Sequence, residues 1–245
     1  MENERSVLRA ILAMQAELGE PLTVDDLART AMFSKFHFSR IFQRVTGLSP
    51  GRFLSALRIQ EAKRLLVTTR FAVTEISHQI GYSSVGTFST RFTHSVGVSP
   101  IKYRQLQSAV PWSLIGHRHD LEGVSSARIT GEISSPIERP VFAGLFPGRL
   151  LEGRPVRYTV IDGPGSFELA DIPPGNWYLM TQSVEAGRED ALDHPPGGDR
   201  SLYVGFGGPI SVPPHSMTRR MDVQLRPMTP LHPPALLALR ELFST

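Results

Sequence analysis

Up to about residue 107 the apolar positions recur at the spacing of three and four that marks one face of a helix. Val7, Leu8, Ile11, Leu12, Met14 and Leu18 form a first stripe, which Gly19 and Pro21 end. Thr23 with Asp26 three positions later predicts a capped start and a short helix through Ala31. Met32-Phe33 reads as a turn, and Ser34 starts a helix that runs to Gly47. Ser49-Pro50 places serine at a cap and proline at the first helical position of a long helix carrying Phe53, Leu54, Leu57, Ala62, Leu65 and Leu66. The pattern then repeats. A short helix begins near Val73 and ends at Gly81, Ser83 or Ser84 caps the next, Gly97 stops it, and Ser99-Pro100 starts another. Seven helices are expected.

The repetition extends to side chains. Phe38-Ser39-Arg40-Ile41-Phe42, followed by Gly47-Leu48-Ser49-Pro50, returns fifty residues later as Phe88-Ser89-Thr90-Arg91-Phe92, followed by Gly97-Val98-Ser99-Pro100. Each copy is preceded by a shorter helix, so the repeating unit is a helix pair whose second member buries its phenylalanines. The long helix between the copies would set the distance and angle between two such units.

Beyond residue 107 the periodicity dissolves. Residues 108–125, with Pro111-Trp112 and Gly116-His117-Arg118-His119-Asp120, read as a linker, which leaves 1–107 and 126–245 as two domains. Short apolar runs then appear at 127–133, 141–146, 156–161, 167–170, 177–184, 202–206 and 221–225, separated by Gly and Pro clusters. This predicts an antiparallel β-sandwich of about seven strands. A loop is expected over 190–200 and a terminal helix over 235–243. The fold class expected is therefore multidomain α and β, with an all-α front and a β-sandwich behind.

Charge sharpens this division. The net formal charge is +3, but residues 1–107 carry 14 Lys and Arg against 8 Asp and Glu, whereas residues 108–245 carry 12 against 15. Only the front half is suited to a polyanion. The absence of cysteine excludes disulfides and thiol chemistry and fits a reducing cytoplasm. The polar start Met1-Glu2-Asn3-Glu4-Arg5 does not resemble a secretory leader. No run approaches the roughly 18 apolar residues of a membrane span, so a cytoplasmic location is expected.

On the helix after Ser34, Phe38, Ile41, Phe42 and Val45 share a buried face, and Phe36, Arg40 and Gln43 lie opposite, flanked by Ser39 and Arg44. Such a face suits a DNA major groove: Arg40 can fork onto guanine O6 and N7, Gln43 can pair with adenine or contact a phosphate, and Phe36 can touch a thymine methyl. A solvated face is the plain alternative for the polar residues, but a phenyl ring gains nothing there. The second unit presents Gly86, Thr90 and Thr93 with Val85 and Ser89 beside them, none a long forked donor. One selective head and one shape-tolerant head are expected. Ser34 and Ser84 at helix N-termini, with Arg44, Arg91 and Lys102, are expected to hold phosphates.

Residues 6–107 resemble the AraC/XylS family of bacterial transcription regulators. The resemblance is carried by Leu22-Thr23-Val24-Asp25-Asp26-Leu27-Ala28, Ser34-x-x-His37-Phe38-Ser39-Arg40-Ile41-Phe42, Arg58-x-x-x-Ala62-x-x-Leu65-Leu66, Ile76-Ser77-His78-Gln79-Ile80-Gly81-Tyr82 and Gly97-Val98-Ser99-Pro100-x-x-Tyr103-Arg104. It implies two recognition helices entering successive major grooves of double-stranded DNA, with base reading at Phe36, Ser39 and Arg40 and at Val85, Gly86, Ser89 and Thr90. It also implies RNA polymerase as a partner. The module stands first here, whereas many members place it last, so the usual effector-domain assumptions do not transfer. Residues 127–225 resemble, more faintly, transthyretin-like or carboxypeptidase-regulatory-like sandwiches, which mark a fold without a function. A small-molecule effector and a homodimer interface are the roles this half is expected to offer.

His117-x-His119-Asp120 offers metal ligands, but it sits in a polar stretch with no further ligand nearby, so no metal, cofactor or enzyme activity is expected. A carbohydrate-binding role would need Trp177, Tyr178 and Tyr203 on one surface, yet adjacent strand residues point to opposite faces.

Overall fold

In the computed structural model, residues 2–115, 127–192 and 200–243 are described. Helices α1 (Glu2–Ala16), α2 (Val24–Thr30), α3 (Lys35–Thr46), α4 (Pro50–Thr68), α5 (Val73–Gln79), α6 (Val85–Val96) and α7 (Pro100–Gln105) follow the expected order. An eighth, α8 (Trp112–Ile115), lies in the stretch expected to be linker. Its Trp112 is buried, packing edge-on against Phe142 and Tyr158 at 5.7 and 4.9 Å between ring centroids. Val110, Trp112 and Ile115 are thus part of the core, and the rest of the expected linker, with His117 and His119, lies outside the described residues.

The helix starts follow from side-chain chemistry. Thr23 and Asp26 form a reciprocal capping box on α2, and the Thr23 hydroxyl and N–H hold the Asp26 carboxyl below its usual pKa. Serines 49 and 99 precede prolines at the first positions of α4 and α7. Gly47 and Gly97 end α3 and α6 at φ of 80° and 98°, the left-handed backbone that glycine enters without a Cβ clash.

Two arginines tie the repeat to its scaffold. From α4, Arg58 donates to the carbonyls of Leu18, Glu20 and Gly81, clamping the chain after α1 and after α5 onto the long helix. From α7, Arg104 donates to the carbonyls of Leu66 and Phe71. These bonds fix the relative placement of the two helix pairs.

The second half is a sandwich. One sheet carries β4 (Gly165–Leu169), β1 (Arg128–Ser134) and β7 (Thr218–Arg220) in that order, with β8 (Val223–Gln224) also on β1. The other carries β3 (Arg157–Ile161), β2 (Val141–Phe146), β5 (Gly175–Val184), β6 (Leu202–Val212) and β9 (Arg226–Pro227). All pairings are antiparallel except those of β7 and β8 with β1.

Strand β2 is buried along its whole length, and alternation explains why. Val141, Ala143 and Leu145 face the first sheet, while Phe142 and Phe146 join the helical core. The molecule is layered as helices, sheet, sheet. A single apolar core runs from α1 through α8 into the back of the five-stranded sheet, and it takes in Leu236, Leu237, Ala238 and Leu239. The expected terminal helix is reduced to a 3-10 turn over Arg240–Phe243. Leu236, Leu237, Ala238 and Leu239 are all buried, leaving no polar face for a surface helix, and the backbone N–H groups of the first three donate to Leu151 and Val96 instead.

Candidate nucleic-acid interface

The first head places its residues outward. On α3, Phe36 is 81% exposed, and Arg40, Gln43 and Arg44 are exposed with no ion pair among the described residues. Beneath them Phe38 and Phe42 are fully buried, with ring contacts of 5.4 Å to each other and from Phe42 to Phe53. The buried stripe orients the exposed one. Ser39 is half-buried and its hydroxyl donates to the Lys35 carbonyl at 2.9 Å, which leaves it little directional capacity. Ser34 sits at the cap position of α3 with no side-chain cap bond. Lys35 pairs with Asp25 at 2.6 Å.

The second head repeats this geometry with smaller side chains. Phe88 and Phe92 are buried against Tyr82 and Tyr103. Gly86 and Thr90 are exposed, and Val85 and Ser89 are half-buried. Ser84 caps α6 by accepting from the Thr87 N–H. A Cβ at Gly86 would meet only the Ser84 hydroxyl, at 3.7 Å, so the fold itself does not demand glycine there.

The turn before each reading helix has the same hydrogen bonds. Met32 and Phe33 donate to the carbonyls of Arg29 and Ala28, as Gly81 and Tyr82 do to those of His78 and Ser77. The left-handed position is glycine in the second copy, but Met32 holds it in the first at φ 62°.

Arg91 departs from expectation. Instead of facing an open phosphate-binding surface, its guanidinium pairs with Glu152 at 2.7 Å and donates to Ser55. Glu152 also accepts from Ser95 at 3.0 Å and pairs with Arg52 at 3.3 Å. Lys102 remains exposed on α7.

Glu152 belongs to the segment 147–154 between β2 and β3, which touches both reading helices. Arg149 lies across Gly47 at the end of α3, Gly153 donates to the Ser95 carbonyl in α6, and Arg154 shares a cleft with Ser89, Thr90 and Thr93. Sequence reasoning missed Arg149 and Arg154. Their only local signal is their charge, because the contacts that place them join residues far apart in the chain, Gly47 for Arg149 and Ser89, Thr90 and Thr93 for Arg154. Trp177 donates to the Pro173 carbonyl and Tyr203 is buried with its hydroxyl on Glu185, so Trp177, Tyr178 and Tyr203 do not form one stacking surface. Among the described residues no group of three or more His, Asp or Glu is arranged around a metal position, and no helix is long and apolar enough to cross a membrane.

Residues 27–106 match the model of a helix-turn-helix domain. The transcriptional activator AarP of Providencia stuartii is 31% identical over 102 residues, a match covering 41% of this chain and 76% of AarP. The chain belongs to the AraC family of helix-turn-helix transcriptional regulators. A second relative, the uncharacterized regulator YobQ of Bacillus subtilis, is 33% identical over 39% of each chain, so the likeness covers well under half of that regulator. Among solved structures, the DNA-binding domain of AdpA in complex with a target DNA is similar at 30% identity and a TM-score of 0.40, over 42% of this chain and 93% of that one. An AraC-type regulator from Chromobacterium violaceum is similar at 27% identity and a TM-score of 0.41, over 42% and 93%. The family model's match, residues 27–106, falls on the helical half.

Proposed function

We propose that the protein controls transcription by reading DNA asymmetrically, with α3 selecting bases and α6 accommodating shape. The observation that carries this is the pair of matching buried faces, Phe38/Phe42 and Phe88/Phe92, beneath outward faces that differ in kind. Arg40 supplies the forked donor, Gln43 a second polar contact, and Phe36 an apolar one. Val85, Gly86, Ser89 and Thr90 supply small contacts and close backbone approach. Ser34, Ser84, Arg44 and Lys102 set register through phosphates. Arg91 is left out of this set because Glu152 holds it.

Double-stranded DNA is then the partner of the helical half, RNA polymerase the target of its output, and the cytoplasm its place of action. The test is selection from random oligonucleotides with the full chain at roughly 0.15 M salt. One enriched motif, better defined over one half than the other, is expected. Recovery of no motif would overturn the reading. The full chain is required because the helices and the five-stranded sheet share one core.

A further inference from the structure

A cleft of about 360 Å³ opens where the last turn of α3 meets the sandwich. Its walls are of two kinds. Arg44 and Arg149 bring two guanidinium groups, neither with a carboxylate partner among the described residues, and no acidic side chain lines the cleft. Opposite polarity comes from Met180, Phe206 and the stacked ring of His232, 5.7 Å from Phe206 and within 15° of parallel. Phe206 is 44% exposed, an unusual position for phenylalanine on a strand otherwise buried before it. Tyr178 closes the cleft, with the Arg149 guanidinium 5.4 Å from its ring centroid.

The backbone is shaped at the same place. The pairing of β5 with β6 skips between Trp177 and Leu179, so Tyr178 faces both Gly208 and Pro209. Such a bulge re-aims side chains and interrupts the ladder, and bulges concentrate beside binding sites. The Thr229 N–H points at His232 Nδ1 at 3.0 Å, which makes Nδ1 the acceptor and leaves Nε2–H as the donor. Burial holds the pKa of this imidazole below its usual value.

We propose that this cleft binds a small planar aromatic carboxylate of about two fused rings, its anion on Arg44 and Arg149 and its ring against Phe206 and His232. The volume lies within the range of small-molecule sites. Paired arginines without an internal acid call for an external anion, and guanidinium forks match a carboxylate in two parallel bonds. The aromatic wall distinguishes this ligand from a bare phosphate, which would leave that wall uncovered. The proposal concerns the seam between the halves and does not depend on which bases α3 reads, but it shares Arg44 with the phosphate contacts proposed above, so ligand and DNA would compete for that guanidinium.

The experiment titrates the full chain calorimetrically with 2-naphthoate, with 2-naphthamide and inorganic phosphate as controls. Saturable one-site binding of 2-naphthoate is expected, at least about tenfold tighter than either control. Arg149→Gln and Phe206→Ala are each expected to weaken it at least about tenfold. Both side chains are exposed, so the variants should fold, and circular dichroism checks that they do. No saturable binding up to about 10 mM, equal binding of amide or phosphate, or unchanged affinity in folded Arg149→Gln would each overturn the assignment.

Discussion

Glu152 joins the second reading helix, through Arg91 and Ser95, and the long helix α4, through Arg52, to the sandwich, and its two arginines should contribute unequally. Its side chain is 10% exposed, against 25% for Arg91 and 54% for Arg52. Removing one member of a well-buried ion pair costs about 3–5 kcal/mol, and an exposed pair contributes about 0.2–1 kcal/mol. Arg91, shielded and at 2.7 Å, falls between these limits, so its coupling to Glu152 should be about 1–3 kcal/mol. Arg52, half in water and at 3.3 Å, should couple by about 0.2–1 kcal/mol. Double-mutant cycles with Glu152→Gln, Arg91→Gln and Arg52→Gln, read by urea unfolding, isolate both values. A coupling for Arg52 equal to or above that for Arg91, or both below about 0.3 kcal/mol, would refute the view that Glu152 is the latch.

Three further outcomes are expected. Gly86→Ala should leave stability unchanged or raise it by up to about 1 kcal/mol, because nothing obstructs the new methyl and alanine favours helix. It should nevertheless weaken DNA binding about fivefold in a gel-shift titration, and undiminished affinity would remove Gly86 from the interface. Gly97→Ala should destabilise by more than about 1 kcal/mol, since it combines a positive φ with a Cβ at 3.0 Å from Ile115; a thermal melt at or above that of the parent would contradict this. His232 has a folded pKa below its ordinary value of about 6.5, because burial disfavours the charged ring. Its contribution to stability is therefore complete above that value and lost as pH falls through the lower folded one. Urea midpoints at pH 7.5 and 5.5 should diverge more for the parent than for His232→Gln.

The helical half was legible because its boundaries are written in local chemistry. Serine before proline, Thr23 with Asp26, and Gly47 and Gly97 act within four residues, and the structure places a helix end at each. The strands were legible for a similar reason, since Gly and Pro clusters bound them. What escaped was the contact between the halves. Val141–Phe146 shows no alternation, which is the signature of burial on both faces, but it does not say that helices cover the second face. Trp112 looked like part of a linker because its partners, Phe142 and Tyr158, lie thirty and more residues away. Arg91 looked free for the same reason: Glu152 is 61 positions further along the chain. Leu236 to Leu239 suggested a helix by composition, yet they thread between layers, where tertiary packing outweighs propensity.

The account stands or falls on whether Arg40 reads a base. Affinity of the full chain and of Arg40→Ala should be measured over every single-base variant of the selected motif, with Lys102→Ala as the phosphate control. Arg40→Ala should cost about 1–3 kcal/mol on the preferred sequence and erase discrimination at one base pair, while Lys102→Ala weakens all sequences alike. Equal loss on every sequence for both variants would contradict the central claim.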